Sequence, residues 1–149
     1  MSVEERRVFA VPPGRGWYDG IDLSLLDRAD EDERRILIQA EHPELHAALR
    51  QGSYEIEIDG QVVNPVLHIA MHEVVANQLW HDSPPEMWET ARRLLGAGYE
   101  RHEVLHMLAS VVSAEVFETM RNQAPVDADK RRAALAALPE SWERQRQGS

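Results

Sequence analysis

A mainly α fold, a compact helical bundle of about five helices with one small β-hairpin, is what three observations in this 149-residue chain predict. Apolar residues recur at helical spacing in segments bounded by good caps and breakers, among them Asn64-Pro65, Ser83-Pro84-Pro85 and Gly96-Ala97-Gly98. Only residues 54–63, YEIEIDGQVV, alternate apolar and polar around a tight-turn pair, Asp59-Gly60. Length and composition, with 43% hydrophobic and 28% charged residues, suit a single globular domain over residues 1–149.

The elements follow in order. Residues 1–20 carry Pro12-Pro13-Gly14 and Gly16-Trp17-Tyr18-Asp19-Gly20 and predict an irregular N-terminal arm, pinned to the body by Trp17 and Tyr18. The acidic run from Asp30 precedes Ile36, Leu37 and Ile38 and marks a helix start, because carboxylates favour the positive end of the helix dipole. Pro43 interrupts that helix, and a short one resumes through Leu45 and Leu49 until Gly52. After the hairpin, Asn64 caps a helix over 65–81 whose inward stripe is Leu67, Met71, Val74, Val75 and Gln78, with His68 and His72 along its edge. A helix over 85–96 turns Met87, Trp88, Ala91, Leu94 and Leu95 inward. The longest, 101–121, presents Val104, Leu105, Leu108, Val111, Val112, Val116, Phe117 and Met120. A weaker helix follows Pro125 and stops at Pro139, and residues 140–149 read as a flexible C-terminal tail.

A formal charge of −10 argues against binding a phosphate backbone, which needs a basic face, so no nucleic-acid partner is expected. The charged N-terminus and the short apolar runs contain neither a signal peptide nor a membrane span, which predicts a cytoplasmic protein with no membrane partner. There is no cysteine, so a bound metal would have only nitrogen and oxygen ligands.

Six of the seven histidines fall in three pairs of one spacing: His42/His46, His68/His72 and His102/His106. Four residues is little more than one helical turn, so each pair projects two imidazoles from one helix face, as helices present metal ligands. If helices 65–81 and 101–121 face each other, His68, His72, His102 and His106 form a nitrogen site for a divalent ion such as zinc, iron or manganese. His42, His46, Glu73 and Glu115 are additional candidates. His42/His46 straddles Pro43 and reads as lid, outer support or packing. The competing structural reading makes the pairs hydrogen-bond partners of backbone and carboxylates.

His102-Glu103-Val104-Leu105-His106 also matches the H-E-x-x-H zinc motif, in which the glutamate takes a proton from metal-bound water. Glu103 is therefore the candidate catalytic base of a metal-dependent hydrolase. Glu115 cannot join His106 on one ion, since nine residues of straight helix span about 13 Å. It lies on the apolar stripe and either calls for a partner, a histidine of helix 65–81 or an arginine such as Arg92 or Arg93, or sits at the boundary and reaches water. His81, without a pair, reads as a surface or capping residue near the end of its helix.

At these residues the chain resembles a bacterial family labelled only as a domain of unknown function, number 1841 in its series. The likeness lies in Glu41-His42-Pro43-Glu44-Leu45-His46, in Asn64-Pro65-Val66-Leu67-His68-Ile69-Ala70-Met71-His72, in Gln78-Leu79 and Pro84-Pro85, and in the His-Glu-x-x-His start of a helix that later carries Glu115. It spans roughly residues 36–122. The resemblance implies acidic residues where this chain has Ala76 and Asn77, and an apolar one where it has Glu73, so a metal relying on those positions would be bound differently here. It implies no reaction. Three functions stay open: a metal-binding protein, a non-catalytic interaction or regulatory domain serving a protein partner or a homodimer, and a metal-dependent hydrolase.

Overall fold

A computed structural model describes residues 2–53, 55–58 and 61–147. Among them it shows a mainly helical chain with eight α-helices and two small antiparallel hairpins, more than the five helices and one hairpin expected. The chain divides into two compact units, Met1–Asn77 and Gln78–Ser149.

The N-terminal unit opens on a helix where an irregular arm was expected. Helix α1 (Val3–Ala10) forms because Ser2 accepts the Glu5 backbone N–H at 3.0 Å and Glu4 and Glu5 occupy the positive end of the dipole. Pro12-Pro13 follows the helix rather than preventing it, since a helix can end two residues before a proline. At Gly14 a Cβ would lie 2.4 Å from the Leu23 carbonyl oxygen, so only glycine lets these backbone segments approach. A second hairpin, β1 (Trp17–Tyr18) with β2 (Ile21–Asp22), turns through Asp19 and Gly20, both at positive φ. Trp17 is 74% exposed and pins nothing, whereas Tyr18 packs on His46 at 4.5 Å between ring centroids.

Helix α2 (Glu31–Ala40) starts where Asp30 accepts the N–H groups of Asp32 and Glu33. Pro43 separates it from α3 (His46–Gln51), which Gly52 ends at φ +69°. Strands β3 (Ile56–Ile58) and β4 (Gln61–Val63) pair antiparallel, Ile56 opposite Val63. Tyr54 and the expected turn residues Asp59 and Gly60 lie outside the described residues.

Helix α4 (Pro65–His81) has the expected bounds, and Asn64 caps it by accepting the Leu67 N–H at 3.1 Å. Its inner face differs from the expected stripe. Leu67 is 52% exposed, while Ile69, His72, Val75, Ala76, Leu79 and Trp80 are buried. The helix is apolar on nearly every side, so periodicity does not select a face. His72 consequently sits in the buried face rather than along its edge.

In the C-terminal unit, α5 (Pro85–Gly96) buries Met87, Thr90, Ala91 and Leu94, and half-buries Trp88 and Leu95. Helix α6 (Arg101–Asn122) buries Val104, Leu105, Met107, Leu108, Val111 and Val112. Phe117 and Met120, expected inside, are exposed, because the apolar pattern outlasts the packed part of the helix. Asp127 caps α7 (Ala128–Ala136). The expected flexible tail is helix α8 (Glu140–Gln147), tied to its unit by Tyr99 donating to Glu143 at 3.2 Å and by Arg146 donating to Glu103 at 3.0 Å. No helix among the described residues is long and apolar enough to cross a membrane.

Candidate metal centre

Three imidazoles meet in the N-terminal unit: His42, from the link between α2 and α3, and His68 and His72, one turn apart on α4. Each offers a ring nitrogen within 4.8 Å of the others. The ring centroids of His42 lie 5.7 Å from His68 and 4.3 Å from His72, and those of His68 and His72 are 4.7 Å apart. His42 and His72 are 3% and 5% exposed, so the cluster is largely withdrawn from water.

The sequence folds this way because Pro43 ends the preceding helix and leaves carbonyls of its last turn in need of donors. His42 Nδ1 donates to the Ile38 carbonyl at 2.8 Å, and His46 Nε2 donates to the Gln39 carbonyl at 2.8 Å. The two rings thus cap one helix end yet do different things. His46 spends Nε2 on the cap and stacks on Tyr18. His42 spends Nδ1, which places its lone pair on Nε2, the tautomer that a ligating histidine needs.

His68 Nε2 and His72 Nε2 are 3.2 Å apart. Two neutral imidazoles hold that spacing either by a hydrogen bond from one to the other or by both aiming lone pairs at a common ion. Tetrahedral ligands at about 2.0–2.1 Å from zinc are about 3.3 Å from one another, so the spacing suits either state.

Each of the other candidates has neighbours of its own. Glu73 follows His72 in sequence, but its Oε2 accepts from Arg35 Nε at 3.4 Å. Burial raises its carboxyl above the usual range, and Arg35 opposes that shift. His102 and His106 pack against each other in the C-terminal unit, their rings tilted with centroids 4.3 Å apart, His102 exposed and His106 half-buried. Glu103 between them is held by Arg146. Glu115 has Arg131 beside it at 3.8 Å, and neither Arg92 nor Arg93 takes that place. Arg93 instead donates to the carbonyls of Leu138 and Leu135. Burial raises the Glu115 carboxyl, opposed by Arg131. His81 is exposed at the end of α4, as expected.

The orientation of His42 was not legible in the sequence, where the break at Pro43 made it an additional candidate and argued for a lid, outer support or packing. The usable signal was the same break: a histidine just past a helix end, before a proline, is placed to cap that helix and be oriented by it. Arg131 was missed because ten or more residues and a loop separate it from Glu115.

A protein-family profile, described as a domain of unknown function (DUF1841), matches residues 23–137. No curated protein and no solved structure matches the chain.

Proposed function

The chain belongs to the DUF1841 family, and we propose that it is a metal-binding protein whose ion is held by His42, His68 and His72. The observation that carries this reading is the His42 bond to the Ile38 carbonyl, because it leaves the lone pair on Nε2 in a buried ring whose centroid is 4.3 Å from that of His72. A backbone carbonyl behind a ligating histidine is the usual support that fixes its tautomer and raises its basicity. Three nitrogen ligands suit zinc, iron or manganese and leave coordination positions for water or substrate. The clustering supports this over a purely structural network, since a capping role explains His46 but gives no reason to gather three rings.

A metal would lower the pKa of a bound water and so favour hydrolysis of an amide or ester. The hydrolase form of the proposal, with Glu103 as base, rests on the His-Glu-x-x-His spacing. Its Arg146 partner would have to release that carboxylate before it took up a proton. His102 and His106 remain candidate ligands on the same spacing argument.

The test is elemental analysis of untagged protein purified without added metal, joined to thermal melts with zinc, iron(II) or manganese. Near-stoichiometric metal, or a clear stabilisation by one of the three, is the expected result. Less than about a tenth of an equivalent with no thermal shift overturns the proposal, since an ion bound only by the fold must stabilise it.

A further inference from the structure

Between α6 and α7, wholly within the C-terminal unit, lies a cavity of about 200 Å³ that the metal reading does not use. At about 30 Å³ for each water, that is room for several waters or one small organic molecule. Its apolar walls come from Val111, Ala114, Pro125 and Ala134. Its charged lining is Glu115, Glu118, Asp127, Lys130 and Arg131.

These charges are unequally satisfied. Lys130 Nζ donates to Glu118 at 2.8 Å, and Arg131 gives two hydrogen bonds to Glu86, at 3.1 and 3.4 Å. Asp127 accepts the N–H groups of Asp129 and Lys130 as the cap of α7. Glu115 Oε2 differs: it is buried and accepts no hydrogen bond, and Arg131 at 3.8 Å is too far to give one. Glu115 lines the cavity, a small turn of its carboxylate would bring this desolvated oxygen to the cavity surface, and a cationic donor meets it best. The two basic residues already have carboxylate partners, so an anion would find neither available without breaking an ion pair.

We infer that this cavity binds a small primary ammonium compound, its nitrogen donating to Glu115 and its short hydrocarbon body lying along Val111, Ala114 and Ala134. Aliphatic length is limited by the volume, and the flanking Arg131 disfavours a second positive charge. The class is therefore monoamines rather than diamines.

The experiment is a titration of the full chain by heteronuclear NMR with n-butylammonium, n-butanol, butyrate and 1,4-diaminobutane as probes. For so small a probe, saturable shifts are expected at about millimolar n-butylammonium, with the other three at least about tenfold weaker. Glu115→Gln, melting no lower than the parent, should lose that preference. Ala134→Met, which narrows the cavity and leaves the carboxylate, should weaken n-butylammonium as well. If Ala134→Met fails to fold, Ala114→Met on the opposite wall replaces it. Equal or tighter binding of butyrate, butanol or the diamine overturns the inference, as does no saturable binding of any probe or unchanged binding by Glu115→Gln. Replacing His72 leaves the titration unchanged, which separates this result from the metal reading.

Discussion

Each unit uses an arginine to satisfy backbone carbonyls, and the two differ in what surrounds that arginine. In the N-terminal unit Arg34 is 1% exposed and donates to the carbonyls of Arg28 and Ala29 and to the amide oxygen of Asn77. Burial disfavours its charge, and Glu31 and Asp30 offset part of that cost. In the C-terminal unit Arg93 reaches the carbonyls of Leu138 and Leu135 from an exposed position. The first unit thus closes around polar groups with little water, and the same enclosure gathers His42, His68 and His72. The second keeps its charges in pairs near water and, beside a cavity, leaves a carboxylate whose arginine neighbour is too far to hydrogen-bond its Oε2. Enclosure, more than histidine count, sets the three-ring cluster apart from the pair of exposed His102 and half-buried His106.

The largest expected effect follows from breaking the enclosed arginine. Arg34→Ala removes the donor from three acceptors at once and should cost about 3 kcal/mol in denaturant unfolding, allowing for relief of its desolvation. Arg93→Ala, which strips two carbonyls nearer to water, should cost about 1–2 kcal/mol in the same measurement. Equal costs would remove the contrast in enclosure.

Metal binding sharpens the comparison within the histidines. His42→Ala and His72→Ala should each weaken zinc binding by at least about 100-fold, measured by competition with a chromophoric chelator. His46→Ala should change it by less than about threefold and lower stability instead, because His46 caps α2 and stacks on Tyr18. Replacing His102 and His106 together reads out that pair independently. Retained stoichiometry and affinity confine the ion to the first three rings, and loss gives the pair a ligand role.

How far the sequence could be read depended on how local the determinants were. The bounds of α4 and α5 were legible because Asn64-Pro65, Pro84-Pro85 and Gly96 act on their own neighbours. The α1 and α8 helices were not, since Ser2 as a cap and the Arg146 and Tyr99 contacts had to outweigh a composition that reads as frayed. The candidate centre was legible as a set of rings, and the geometry of each ring was not. Spacing shows that His68 and His72 share a face, whereas the orientation of His42 depends on a carbonyl, Ile38, that no residue pattern encodes. Likewise Glu115 visibly needed a partner, and Arg131 became that partner only through the packing of α7.

The smallest effect concerns the Glu115 carboxylate, which has an arginine neighbour but no hydrogen bond to its Oε2. Burial raises the Glu115 carboxyl, with Arg131 pulling the other way, so the folded state holds this proton more tightly than the unfolded chain does. Its contribution to stability is therefore fully present below the ordinary carboxylate range and is lost as pH rises through the raised value. Glu115→Gln, which keeps a neutral side chain at every pH, should gain on the parent across that window. The relative gain on going from acid to pH 8 should be below about 1 kcal/mol, because Arg131 already offsets part of the penalty. Paired urea titrations of parent and variant at the two pH values measure it. A variant that loses ground as pH rises would mean that Arg131 outweighs burial, and that Glu115 is a satisfied member of an ion pair like those at Glu86 and Glu118.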